Sequence, residues 1–175
     1  SRSVIMDETF EHVEIALLVF FISLFMVIGG VEHSQFLIYL GQFITPFVLE
    51  DLMIASIVLM WVGAILSAMI DNIPFTAAMI PIIMSMDAQG INVSPLWWAL
   101  AMGVGMGGNG THIGSTANVF IVTISERLAR QENDPSLAIT PWLWFKKGLP
   151  IMLLTLTTCT IFMLLFFDWF TAPVN

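Results

Sequence analysis

Asp71, Asn72 and Thr76 place a carboxylate, an amide and a hydroxyl in one short stretch, residues 67–76, whose other members are mostly apolar. All three side chains offer oxygen, the donor that a small hard cation such as sodium takes. Holding an ionised group at membrane depth costs about 3 kcal/mol or more, so such a residue marks an ion pathway, a proton relay or a paired site inside a helix bundle. Burial favours a protonated acid, whereas a bound cation or a helix N-terminus favours the carboxylate, and a group held between those pulls can exchange a proton for a cation. The plainer alternative is that Asp71 only caps a helix that starts beside it. Pro74 follows directly and predicts a broken helix at this point.

A second polar interruption carries Asn109, Thr111, Ser115, Thr116 and Asn118 within residues 103–118. Glycine stands at 103, 105, 107, 108, 110 and 114. Each glycine costs a helix up to about 1 kcal/mol relative to alanine, so the spacing predicts half-helix, exposed backbone, half-helix. Broken helices of this kind expose N–H groups at one end and carbonyls at the other, and secondary transporters use paired breaks as ion sites. The candidate ion or substrate ligands are therefore Asp71, Asn72, Thr76, Asn109, Thr111, Ser115, Thr116 and Asn118, with Asp71, Asn72 and Asn118 the candidates for sodium. His112 lies inside the second break, and an imidazole titrates near neutrality, which makes it a candidate proton relay. Its plainer role is a hydrogen bond to the backbone. Thr155, Thr157, Thr158 and Thr160 are expected to bond back to their own helix and take no part in transport.

His12, His33 and Cys159 are too scattered for a zinc site. The chain carries no phosphate-binding P-loop and no G-x-S-x-G elbow, and no strand precedes the glycines at 103–114 to make them a dinucleotide fingerprint. No enzyme activity and no cofactor is expected; sodium and protons are the expected transported or coupling ions.

The elements that must hold these residues are membrane helices. Of 175 residues 58% are hydrophobic and only 10% charged, and the mean hydropathy is +0.91, a composition outside the soluble range. The net charge of -8 comes from acids at segment ends, among them Asp7, Glu8, Glu11, Glu14, Glu50 and Asp51, so no nucleic-acid partner is expected. A ~30 Å hydrocarbon core takes roughly 20 apolar residues. On that measure 13–31 is a transmembrane helix, 34–48 a shorter interfacial helix, and 52–86 a re-entrant hairpin with its tip at the polar break. Residues 95–124 form the broken helix, 140–147 an interfacial segment with tryptophans beside lysines, and 149–167 the last span. Arg127, Arg130, Lys146 and Lys147 are four of the five basic residues, which puts residues 125–148 in the cytoplasm and opens the hairpin to the outside. The first residues show no signal peptide, and a chain starting at Ser1 is expected to continue a longer one.

At the two breaks the chain resembles the ion transporter superfamily that includes ArsB-type permeases, NhaD-type sodium/proton antiporters, the melanosomal P protein and the dicarboxylate/sodium symporters. Residues 67–77 look like the hairpin-tip motif of the antiporters and the P protein. Gly107-Gly108-Asn109-Gly110-Thr111, with Ile113-Gly114-Ser115 and Asn118-Val119, looks like the broken helix of the permeases. Lys146-Lys147-Gly148-Leu149-Pro150 before the last span fits the C-terminal repeat. The resemblance implies an all-α integral membrane protein that is half of an inverted-repeat secondary transporter, with the site between two halves. The missing N-terminal repeat would come from the same longer chain or a second subunit, and a homodimer is a further expected assembly. An aspartate at the tip is closer to the antiporter pattern than to the serine-asparagine-threonine tip of the dicarboxylate symporters, which favours sodium/proton antiport. An anion, arsenite or dicarboxylate permease is the alternative within transport, and a non-transporting half-transporter subunit the alternative outside it.

Overall fold

The computed structural model describes residues 15–172, and every regular element among them is helical. The acids at 7–14, Arg2, His12 and the first two residues of the expected 13–31 span lie outside the described residues. Helix α1 runs Ile15–His33. Gln35, with φ 60°, turns the chain into α2, Phe36–Glu50. Asp51 caps α3, Leu52–Met69, by accepting the Ile54 N–H at 3.0 Å. After Ile70 and Asp71 comes α4, Asn72–Asp87, then a turn through Gly90 and α5, Ser94–Gly107. Residues 108–115 are not helical, and α6 follows as Thr116–Gln131. A 3-10 turn at Pro135–Leu137 leads to α7, Pro141–Leu165, and the short α8, Phe167–Phe170.

The most extensive packing joins α3 to α5. A Cβ added to Gly103 would stand 2.3 Å from the Met60 carbonyl oxygen, and one on Gly107 2.3 Å from that of Ala64. Only glycine admits such an approach of two backbones. Because 103 faces 60 and 107 faces 64, the two helices run parallel, and α3 continues five residues past the level at which α5 ends. The buried Ser67 hydroxyl donates to the Val104 carbonyl at 3.1 Å and ties the pair together near that end.

Helix α4 folds back along α3. Phe75 lies 3.5 Å from the Cβ position of Gly63, and farther along Ile82, Ile83 and Met86 are buried with Val48 of α2 and Leu96 and Leu100 of α5. Between α2, α3 and α4 the arms splay around an apolar cavity of about 940 Å³. A second core joins Met60, Ala64 and Ala68 of α3 to Met152, Leu156 and Met163 of α7 and to Phe170.

Among the described residues, two segments are long and apolar enough to cross a membrane, Leu52–Met69 and Pro135–Leu165. They leave Ile65, Leu154, Ile161 and Leu165 exposed, a pattern suited to apolar surroundings. At 1.5 Å per residue, the 18 residues of α3 measure about 27 Å, close to a full hydrocarbon thickness.

Several boundaries differ from the sequence expectation. The segments 140–147 and 149–167 form one 25-residue helix, α7, which passes straight through Pro150. An interior proline removes one helical hydrogen bond and costs about 3 kcal/mol, but the packing of Gly148, Met152 and Leu156 on either side keeps the helix continuous. The second arm of the broken helix continues past 124 to Gln131, because Glu126, Arg127, Leu128, Ala129, Arg130 and Gln131 are all good helix formers. Likewise the 34–48 segment is helical as 36–50, with Pro46 inside it.

Candidate functional site

Four helix ends meet where the two breaks adjoin. The C-terminus of α3 meets the turn that follows α5, at Ala68 and Thr111, and the N-termini of α4 and α6 meet at Asp71 and Thr116. A helix carries roughly half a positive charge at its N-terminus and half a negative charge at its C-terminus. The site therefore brings negative and positive helix ends together before any side chain is counted.

Asp71 sits between the two starting helices. One carboxylate oxygen accepts the Ile73 N–H at 3.1 Å, capping α4. The other accepts the Thr116 hydroxyl at 2.5 Å, from the first residue of α6. The capping role open to Asp71 in sequence is thus real, and the second bond adds what no local pattern contains: one carboxylate shared by two helix N-termini 45 residues apart. Pro74 is tolerated because it stands in the first turn of α4, where N–H groups have no intrahelical acceptor.

Thr111 and Asn118 hold the second break in shape. The Thr111 hydroxyl donates to the Ala68 carbonyl at the end of α3 and accepts the Gly114 N–H at 3.1 Å. The Asn118 amide donates to the carbonyls of Gly108 at 2.7 Å and Thr111 at 3.2 Å. A Cβ on Gly114 would meet the Ser67 carbonyl at 3.1 Å and the Gly108 carbonyl at 2.9 Å. The turn is consequently pressed against α3 by its glycine and stitched to it by a hydroxyl.

The structure joins Asp71 to Thr116 across the two breaks, and Asn118 to Thr111 within the second, where Thr111 also bonds to the end of α3. Asn72 begins α4 next to Asp71, Thr76 lies one turn further along, and Ser115 is the cap residue before Thr116, without a side-chain capping bond. All three are half-buried. Asn109 stands apart: its side chain is exposed, and its carbonyl accepts the Trp144 indole N–H at 3.2 Å from α7. His112 is half-buried in the turn. The threonines of α7 do bond back to their own helix, Thr155 to Ile151, Thr157 to Leu153, Thr158 to Leu154 and Thr160 to Leu156. Thr160 also accepts the Trp61 indole N–H at 2.9 Å.

Sequence reasoning missed the α7 contribution. Trp144 reads as an interface anchor because lysines follow it, and nothing local signals that its indole reaches residue 109. The Ser67 and Ala68 carbonyls were equally invisible, since backbone acceptors carry no residue-type signature.

Several known proteins are similar in sequence to this chain. A family model described as citrate transporter matches residues 1–103, which include the whole Asp71 break. The chain is 36% identical over 162 residues to the human P protein, covering 88% of this chain and 18% of that protein. It is 41% identical over 125 residues to the P protein of Sus scrofa, covering 67% of this chain and 15% of that one. An uncharacterized transporter of Synechocystis is 29% identical over 169 residues, 87% of this chain and 36% of its own. The chain thus spans between about a seventh and a third of the length of these relatives. No solved structure matches it. Since the matched residues make up more than half of the sequence and hold its first helix break, the chain belongs to the citrate transporter family of ion transporters.

Proposed function

We propose that the chain is the C-terminal half of a secondary active sodium/proton antiporter, with Asp71 as the carboxylate that alternates between proton and cation. One observation carries this reading: the Asp71 carboxylate already occupies the place between the α4 and α6 N-termini where a substrate anion would otherwise sit. Two helix dipoles and a hydroxyl stabilise its charge without a buried counter-ion. A cation arriving from the carbonyl side, at the ends of α3 and α5, then meets a carboxylate that has little need to be reorganised. In this mechanism Thr116, Asn118 and Thr111 supply further oxygens, Asn72, Thr76 and Ser115 line the approach, and protonation of Asp71 releases the cation.

Helix α3 with α4 acts as a re-entrant hairpin, and α5 with α6 as a discontinuous membrane helix. The parallel course of α3 and α5 supports this topology, since segments entering from one side of the membrane run the same way. Residues 125–148 face the cytoplasm and the hairpin opens to the outside. An inverted N-terminal repeat supplies the other half of the site.

The experiment is transport by the full-length natural protein in proteoliposomes, read as sodium-driven proton movement. Asp71→Asn abolishes exchange while the protein still inserts and remains monodisperse. Normal sodium/proton exchange by this variant would overturn the mechanism.

The family description favours a second reading, a permease for carboxylate anions such as citrate. In that case the half-buried Asn72, Thr76 and Ser115 bind the substrate and Asp71 holds the coupling cation. Competition by citrate, succinate or arsenite against the transported ion in the same proteoliposomes separates the two.

A further inference from the structure

The turn between α5 and α6 is held from two sides, and only one of them belongs to the ion site. On the far side from Asp71 lies α7, which presents Trp144, Gly148, Met152 and Leu156 at intervals of four, one face of a helix. Leu156 is wholly buried and Met152 nearly so. A Cβ on Gly110 would stand 2.5 Å from the Met152 sulfur and 3.3 Å from the Ala68 Cβ, so the turn is sandwiched between α7 and α3. At the end of the stripe the Trp144 indole N–H donates to the Asn109 carbonyl. A Cβ on Gly148 would stand only 2.3 Å from that same oxygen, and 3.2 Å from the Trp144 indole nitrogen. The carbonyl fits against α7 because residue 148 has no side chain.

We propose that Trp144 and Gly148 form a positioning clamp for the second helix break, setting where Thr111 and Asn118 stand relative to Asp71. The non-helical residues 108–115 depend on side chains for their shape. Thr111 and Asn118 fix the inner edge of the turn, and Trp144 with Gly148 fixes its outer edge. Trp144 touches no transported ion; it acts through the Asn109 carbonyl. This inference rests on the antiport reading for its transport consequence, although the clamp itself does not.

The test uses the full-length protein carrying Trp144→Phe, which keeps a ring and removes the donor, or Gly148→Ala, which fills the space of the carbonyl. Trp142→Phe is the control, because Trp142 is 71% exposed. Backbone hydrogen exchange of peptides covering 108–115 and the sodium dependence of exchange activity are both measured. One lost hydrogen bond corresponds to an increase of about 2- to 10-fold in exchange rate within 108–115. The half-saturating sodium concentration rises by a similar factor, with a smaller change in maximal rate, and the control changes neither. Unchanged hydrogen exchange in 108–115 overturns the clamp, and faster hydrogen exchange with unaltered sodium dependence overturns its role in positioning the ion site. Should either variant fail to fold, the other decides alone. If Asp71→Asn transports normally, the antiport reading falls while the hydrogen-exchange result still decides whether the turn is clamped.

Discussion

Asp71 illustrates how a residue with an ordinary local role acquires an unusual one through its neighbours. As a cap for α4 it would be worth about 1 kcal/mol. Sharing the same carboxylate with Thr116 ties the start of α6 to the start of α4, and a hydrogen bond to a charged group is worth about 1.5–3 kcal/mol. Thr116→Val is therefore expected to lower the stability of the full-length protein by about 1–3 kcal/mol, read as a reduced midpoint of thermal unfolding in detergent. Thr158→Val is the contrast. That hydroxyl is exposed and bonds only to Leu154 of its own helix, so unfolding and exchange should both stay as they are.

At the scale of elements, the contact between α3 and α5 decides whether the two breaks come to the same level. Gly107→Ala puts a methyl 2.3 Å from the Ala64 carbonyl and 2.5 Å from its Cα. Backbone atoms cannot rotate away, so the helices must separate, at a cost of about 1–3 kcal/mol or more. The variant should unfold at lower temperature and lose the alignment of Ser67 with Val104. Gly105, two positions away, has nothing within 4 Å of its Cβ position. Gly105→Ala should be neutral or stabilise α5 by up to about 1 kcal/mol through helix propensity. A larger loss in the 105 variant than in the 107 variant would contradict the packing described here.

For the molecule as a whole, the question is which side each end of the breaks faces. The full-length protein, freed of Cys159 by substitution with serine, can carry single cysteines at exposed Ala88 or Gln131. Residue 131 is expected to react with impermeant thiol reagent only from the cytoplasmic side, and residue 88 only from outside. The reverse pattern would invert the proposed orientation. The relatives are about three to five times as long as this chain, so the sequence preceding these residues in the natural protein is the quickest test of an inverted repeat. It should contain a second polar tip of the residue 67–77 type and a second glycine-rich break. The length of α3, about 27 Å, sets a condition on the hairpin as well: a tip at the midplane requires the arm to tilt or to begin outside the hydrocarbon.

What the sequence by itself determined was chemistry and continuity. Long apolar runs with few charges require a membrane protein, because so much apolar surface has no other suitable solvent. Asp71 beside Pro74, and the glycines at 103–114, are readable as breaks because proline and glycine act on the backbone wherever they occur. What only the tertiary structure decided was partnership. Whether Asp71 caps one helix or joins two depends on Thr116, and whether Trp144 stays at the surface or reaches the second break depends on Asn109. The parallel pairing of α3 and α5 depends on glycines whose missing side chains matter only against Met60 and Ala64. The continuity of α7 through Pro150 belongs here too, since the local cost of proline is readable in sequence and the packing that offsets it is not. Local residue types fix the conformations available to each segment, while the meeting of segments far apart in sequence selects among them, and such contacts leave no local pattern to read.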